Sequence, residues 1–179
     1  KKGDIIAWVN EVAKHTDVGF AAYSHWYSGS KYDMTMDVAE EILKVKNTVA
    51  VKWASPNVAN YLAGLKYFAP KAAVANNGPL TVHGHQLGAK AWISHVPNFF
   101  PQHSWKVHEL MTAGNYDEAG RVLDDFDNDY SEILGDIGSG TAGEGVFVKP
   151  FMRYMGRPSG PSRYPSVDSV VTDEITQKI

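Results

Sequence analysis

The sequence predicts an α/β fold built on a parallel sheet, and three observations carry the prediction. Short apolar runs of strand length alternate with amphipathic helical segments through four successive units. The strands recur at intervals of about 20 to 30 residues, enough for one crossover helix each. The first two strands each have a bulky face and a small face, as in a sheet curved around a crowded interior.

The elements follow in order. "GDIIAWVNEVAKH" sets Ile5, Ile6, Trp8, Val9, Val12 and Ala13 at helical spacing. The chain starts at Lys1 and enters this helix at once, as expected of a piece of something longer. "DVGFAAYSH" contains the first strand. In "TMDVAEEILKV", Val38, Ala39, Ile42 and Leu43 share one helical face, with acids early and lysines late as the helix dipole prefers. Then come the strand "TVAVKWA", the helix "NVANYLAGLKYFA", the strand "KAAVAN", a short helix in "LTVHGHQLG" and the strand "AKAWIS". "HSWKVHELMTAG" and "NYDEAGRVLDDFDNDYSEILGDI" are helical, with Gly114 as the stop between them. "GSGTAGEG" is a loop, "FVKPFMRYMG" a short helix, and "SVVTDEITQKI" a last amphipathic segment. The division is 1–101 for four β/α units and 102–179 for a helical extension.

By the period-2 rule, Gly19, Ala21 and Tyr23 share one face of the first strand, opposite Val18, Phe20 and Ala22. In the second, Thr48, Ala50 and Lys52 oppose Val49, Val51 and Trp53. Bulk on one side only points to a closed barrel, with helices outside, small residues inside, and chemistry at the carboxyl ends of the strands. An open doubly wound sheet needs bulk on both faces.

Composition narrows the function. The chain has 179 residues, 44% apolar and 21% charged, with formal net charge −3 and pI about 6.2. No basic stripe suits nucleic acid, and no Lys/Arg run suits an anionic membrane. No apolar run approaches the ~20 residues of a membrane-spanning helix. The absence of cysteine excludes disulfides and thiolate metal sites and fits a cytoplasmic protein.

Lys52 is the first candidate for chemistry. An ammonium at the end of an apolar run is expensive to bury. Desolvation favours the neutral amine, which can attack a ketone, and the resulting iminium withdraws electrons from neighbouring bonds. The alternative is a lysine that snorkels to solvent from a strand end. Tyr23 ends the preceding strand on the same small face. It reads either as a proton relay or as a rim tyrosine packing its ring.

Four motifs in order resemble one family. "VAVKWAS" followed by "GAKAWISHVPNFFP" is similar to the pyruvate-dependent class I aldolases of the dihydrodipicolinate synthase and N-acetylneuraminate lyase family. Val49, Lys52, Ala54 and Ser55 match the strand that carries its Schiff-base lysine, and Tyr23 in "AAYSHW" matches its proton-shuttling tyrosine. "GAKAWIS" retains Gly88, Ile93 and Ser94 of an eighth-strand segment, with Ala91 where glycine is usual. "VKPFMRYMGRPSGPSRYP" resembles the family's close. The resemblance implies a (β/α)8 TIM barrel, of which this chain covers about strands five to eight and the C-terminal helices. It implies a lyase forming a lysine Schiff base with pyruvate or a related 2-oxo acid, without a cofactor, as a homodimer or homotetramer. A 2-keto-3-deoxy sugar acid dehydratase using the same Schiff base, and a non-catalytic half-barrel, are the alternatives. Lys52 and Tyr23 are then the catalytic pair.

The resemblance also implies substrate-binding positions: Asn76 and Gly78, in "VANNG", sit where the family uses backbone near the substrate carboxylate, with Ile93 beside them, although Gly78 also reads as a plain turn glycine. The family's first half, absent here, supplies two adjacent hydroxyl residues for the pyruvate carboxylate and a second tyrosine from a neighbouring subunit. Tyr23-Ser24-His25-Trp26 lacks the family's usual proline, and "YSGSK" offers Lys31 but not the synthases' arginine. That points away from dihydrodipicolinate synthesis toward another 2-oxo acid lyase or dehydratase.

Other motifs weigh less. Gly138, Gly140 and Gly143 match G-x-G-x-x-G but follow a helix, where a dinucleotide fingerprint needs a strand. His83 and His85 lack a third metal ligand. Asp124, Asp125, Asp127 and Asp129 lie in a helical pattern without the glycine and glutamate of a calcium loop.

Overall fold

The computed structural model describes residues 2–24, 34–138, 145–164 and 168–179. His25, Trp26, Lys31, Gly140 and Gly143, all singled out from the sequence, lie outside the described residues. The chain divides into two compact units, 1–93 and 94–179. Residues 94–101, which the sequence grouped with the strands, begin the second unit, where Val96 and Phe99 are core residues. No helix among the described residues is long and apolar enough to cross a membrane.

The first unit alternates helix and strand: α1 (Lys2–Lys14), β1 (Phe20–Tyr23), α2 (Met36–Leu43), β2 (Thr48–Trp53), α3 (Val58–Phe68), β3 (Ala73–Asn76), α4 (Thr81–Gln86) and β4 (Ala91–Trp92). The four strands form one parallel sheet in chain order. Local chemistry sets the boundaries. The Asn57 side chain caps α3 by accepting from the Asn60 N–H at 3.0 Å. Tyr61, Gly64, Leu65 and Phe68 then form its buried face at helical spacing. Asn47 takes a left-handed φ of 68° to turn the chain from α2 into β2, and its amide donates to Thr16 O at 2.8 Å.

The sheet has the two faces that the sequence predicts from Ala50 onward. Ala22, Val51, Trp53, Val74 and Asn76 are buried. Ala21, Ala73 and Ala91 are exposed, while Ala50, Lys52 and Ala75 are half-buried. Two predicted outward anchors are corrected. Val18 precedes the strand and is exposed. Val49 is 57% exposed. The register shifts between Phe20 and Ala21, which pair with Thr48 and Ala50, so Val49 is an extra residue beside Gly19 rather than a wedge against the helices.

Trp53 anchors the buried side. It meets Phe68 edge-on at 5.1 Å, and its indole N–H donates to Tyr61 O at 2.9 Å. Gly64 makes room for it, since a Cβ at Gly64 would clash with the indole ring. Gly64→Ala is therefore expected to destabilise the chain by about 1–3 kcal/mol, as overpacking does. A lowered urea midpoint at unchanged slope would show it, and an unchanged midpoint would mean that Trp53 yields.

The second unit is helical: α5 (Pro101–Thr112), α6 (Tyr116–Gly138), α7 (Gly145–Tyr154) and α8 (Asp173–Lys178). Pro101 opens α5 at a first-turn position where its missing N–H costs nothing. Gly114, with φ of 80°, ends it as predicted. Its N–H donates to Met111 O and the Asn115 N–H to Leu110 O, which satisfies two late carbonyls. The Asp124–Asp129 acids do lie on a helix, α6.

Candidate active site at the carboxyl ends of the strands

Parallel pairing puts side chains of partner residues on the same face of the sheet. Tyr23 pairs with Lys52, Lys52 with Ala75, and Ala75 with Ala91. One row thus crosses the sheet at its carboxyl end: tyrosine, lysine, alanine, alanine. The row beneath it on the first three strands is Ala21, Ala50 and Ala73. Two long side chains stand on a floor of methyl groups, and the Lys52 ammonium lies 3.8 Å from the centre of the Tyr23 ring. The ring face is electron-rich, so this is a cation–π contact.

The sequence places this lysine in a buried position. It is half-buried, because the alanine face around it is open in this chain. Tyr23 is 41% exposed. The backbone at both residues is fixed: the Ser24 N–H donates to Lys52 O at 3.0 Å, and the Asn77 N–H to Trp53 O at 2.8 Å. Ser24, fully buried, donates its hydroxyl to Ala54 O at 2.8 Å and ties the loop after β1 to the loop after β2.

Asn76 and Gly78 reach the same end of the sheet, but their polar groups serve the fold. The Asn76 side chain is buried on the helix side. It accepts from the Tyr61 hydroxyl and, at 2.8 Å, from the Gly78 N–H, and it donates to Leu80 O at 3.3 Å. Its backbone carbonyl accepts from the Ile93 N–H at 2.8 Å. The Asn76 side chain and the Gly78 N–H are thus engaged within the fold. Gly78 is glycine because a Cβ there would strike the Tyr61 ring, and Gly84 because a Cβ would lie 2.6 Å from the Asn76 amide nitrogen. Ile93, 47% exposed, follows β4 directly.

The sequence reading missed Asn77. Its amide nitrogen lies 3.4 Å from the Tyr23 hydroxyl, a long donor contact to the group proposed to move protons. Alternation carried two positions past Ala75 points to it. His83 is exposed and contacts Gln86 at 3.2 Å.

Burial raises the Tyr61 hydroxyl to about 12, opposed by its hydrogen bond to Asn76. The folded state thus holds this proton more tightly than the unfolded chain, whose tyrosine titrates near 10. The contribution is complete below about pH 10 and is lost as pH rises toward 12. Wild type is expected to lose stability relative to Tyr61→Phe across that window, by at most about 1.4 kcal/mol per pH unit. Paired denaturant melts check this, and parallel curves would count against it.

A sequence model described as the Dihydrodipicolinate synthetase family matches residues 2–178. The chain belongs to the dihydrodipicolinate synthetase family. Solved structures agree on the fold. A dihydrodipicolinate synthase superimposes with TM-score 0.81 at 19% identity, over 99% of this chain and 59% of its own. An E. coli K12 prophage protein of the dihydrodipicolinic acid synthase family, in complex with pyruvate, gives 0.82 at 16% identity, over 99% and 59%. An N-acetylneuraminate lyase from Mycoplasma synoviae gives 0.73 at 19% identity, over 99% and 57%. No curated protein matches the chain. The chain thus spans about 59% of the length of the solved family members it resembles.

Proposed function

We propose that this chain is the strand-five-to-eight part of an eight-stranded β/α barrel, and that it supplies the imine-forming lysine of a 2-oxo acid lyase. The observation that carries the proposal is the Tyr23–Lys52 pair, in register at the carboxyl ends of adjacent parallel strands, with the ammonium 3.8 Å over the ring. Family membership and a structural neighbour in complex with pyruvate support the substrate class. The exposed alanine face supports the missing half: Ala21, Ala73 and Ala91 need a cover, and four further strands would provide it.

The neutral Lys52 amine attacks the ketone carbon of the 2-oxo acid. The carbinolamine loses water, with Tyr23 giving a proton to the departing hydroxyl, and an iminium forms. Loss of a proton from the adjacent carbon gives an enamine that adds to an aldehyde, and the reverse sequence cleaves the bond. Asn77, whose amide nitrogen lies 3.4 Å from the Tyr23 hydroxyl, steadies that hydroxyl. Ile93 borders the site from the β4 side. The helices beyond residue 102 are proposed as an interface of a dimer or tetramer.

The test is borohydride reduction of the complete protein with pyruvate, followed by peptide mass mapping. A stable adduct on the Lys52 peptide is expected. An adduct on another lysine, or none, overturns the assignment. The 179-residue chain alone is expected to give no adduct above background, because the family resemblance assigns the groups that hold the carboxylate to the other half of the barrel. Product analysis with sugar-acid substrates separates aldol cleavage from dehydration, since both pass through the same imine.

A further inference from the structure

The helical unit contains a cavity of about 370 Å³, a size within the range of small-molecule sites. Its walls are mostly rings: Phe99, Phe126, Tyr130, Phe151 and Tyr154. They hold one another in place. Phe99 stacks on Phe151 at 4.8 Å and lies 5.5 Å from Tyr130. Phe126 stacks on Tyr130 at 5.8 Å, and Tyr130 meets Phe151 edge-on at 5.1 Å. The wall is therefore largely built before a ligand arrives, and aromatic faces carry negative potential.

Two charges reach the lining. Asp129 is exposed and lies on the same side of α6 as Phe126 and Tyr130, which also line the cavity. Lys178 is already neutralised, its ammonium 2.8 Å from Asp136 and 3.6 Å from Glu132. The sequence of α6 holds eight acids, of which Glu132 and Asp136 face Lys178 and Glu118 faces Arg121, leaving the others in excess. Rings and surrounding charge thus select the same sign of ligand. We propose that this cavity binds a small organic cation of the alkylammonium class, its head group against the ring faces and its charge balanced by Asp129. An anion would meet the acids of α6. A neutral apolar molecule would fill the space without using Asp129.

Choline and its uncharged carbon isostere, 3,3-dimethylbutan-1-ol, test this by calorimetry on the full chain. Choline is expected to bind saturably, and the isostere at least about tenfold more weakly, the scale of a desolvated cation–π contact. Asp129→Asn and Phe126→Leu should each weaken choline several-fold. Asp129→Asn changes only an exposed charge, so its thermal melt should match wild type. Equal binding of the two probes, undiminished choline binding in both variants, or no saturable binding to wild type would each overturn the proposal. None of these readouts depends on imine formation.

Discussion

Lys52→Ala, made in the complete barrel, is expected to abolish turnover and to remove the borohydride-trapped adduct. The reaction needs an amine that forms a covalent bond with the substrate carbonyl, and among the described residues Lys52 is the lysine that pairs with Tyr23 across the strands. Lys52→Arg is expected to be equally inactive although it keeps the charge over the Tyr23 ring, because a guanidinium stays protonated and is not a nucleophile. This second variant separates chemistry from packing. If the ammonium served only to hold the ring, arginine would preserve much of the activity. Steady-state rates and intact mass after reduction check both variants, and activity of Lys52→Arg above a few per cent would end the proposal.

Tyr23→Phe is expected to slow turnover by about 10²- to 10⁴-fold, the usual cost of a lost acid–base group. The ring and its contact with Lys52 remain, so the fold and some imine formation should persist. The pattern expected is slow catalysis with slower but measurable trapping. Wild-type rates would mean that Tyr23 only packs against the lysine. Loss of trapping together with loss of the thermal transition would mean that the ring is structural.

Much of this arrangement is legible in the sequence. Residue parity alone puts Lys52 and Trp53 on opposite faces, because side chains alternate along a strand. The same parity puts Ala50 and Lys52 together, and the regular return of strand after helix gives a parallel sheet in chain order. Gly114 as a helix stop is legible because left-handed backbone selects glycine locally. The Tyr23–Lys52 pairing follows once both strands are taken to end at the same level.

Other features are not written in any local pattern. Val49 reads as a buried strand residue, and only the pairing with β1 makes it the extra residue of an irregular register, exposed beside Gly19. Asn76 reads as a strand-end residue whose backbone lies near a substrate. Only the packing of α3 brings the Tyr61 hydroxyl to it and commits its amide to the fold. Asn77 gains its place near Tyr23, 54 residues away in the chain, from the packing of the sheet. The burial of Lys52 is likewise not its own property. It depends on what covers the alanine face, not on the residues beside the lysine in the chain. The sequence determines which way each side chain points, because that is set by backbone periodicity. Tertiary structure decides what each side chain meets, because that depends on register and on packing between segments far apart in the chain.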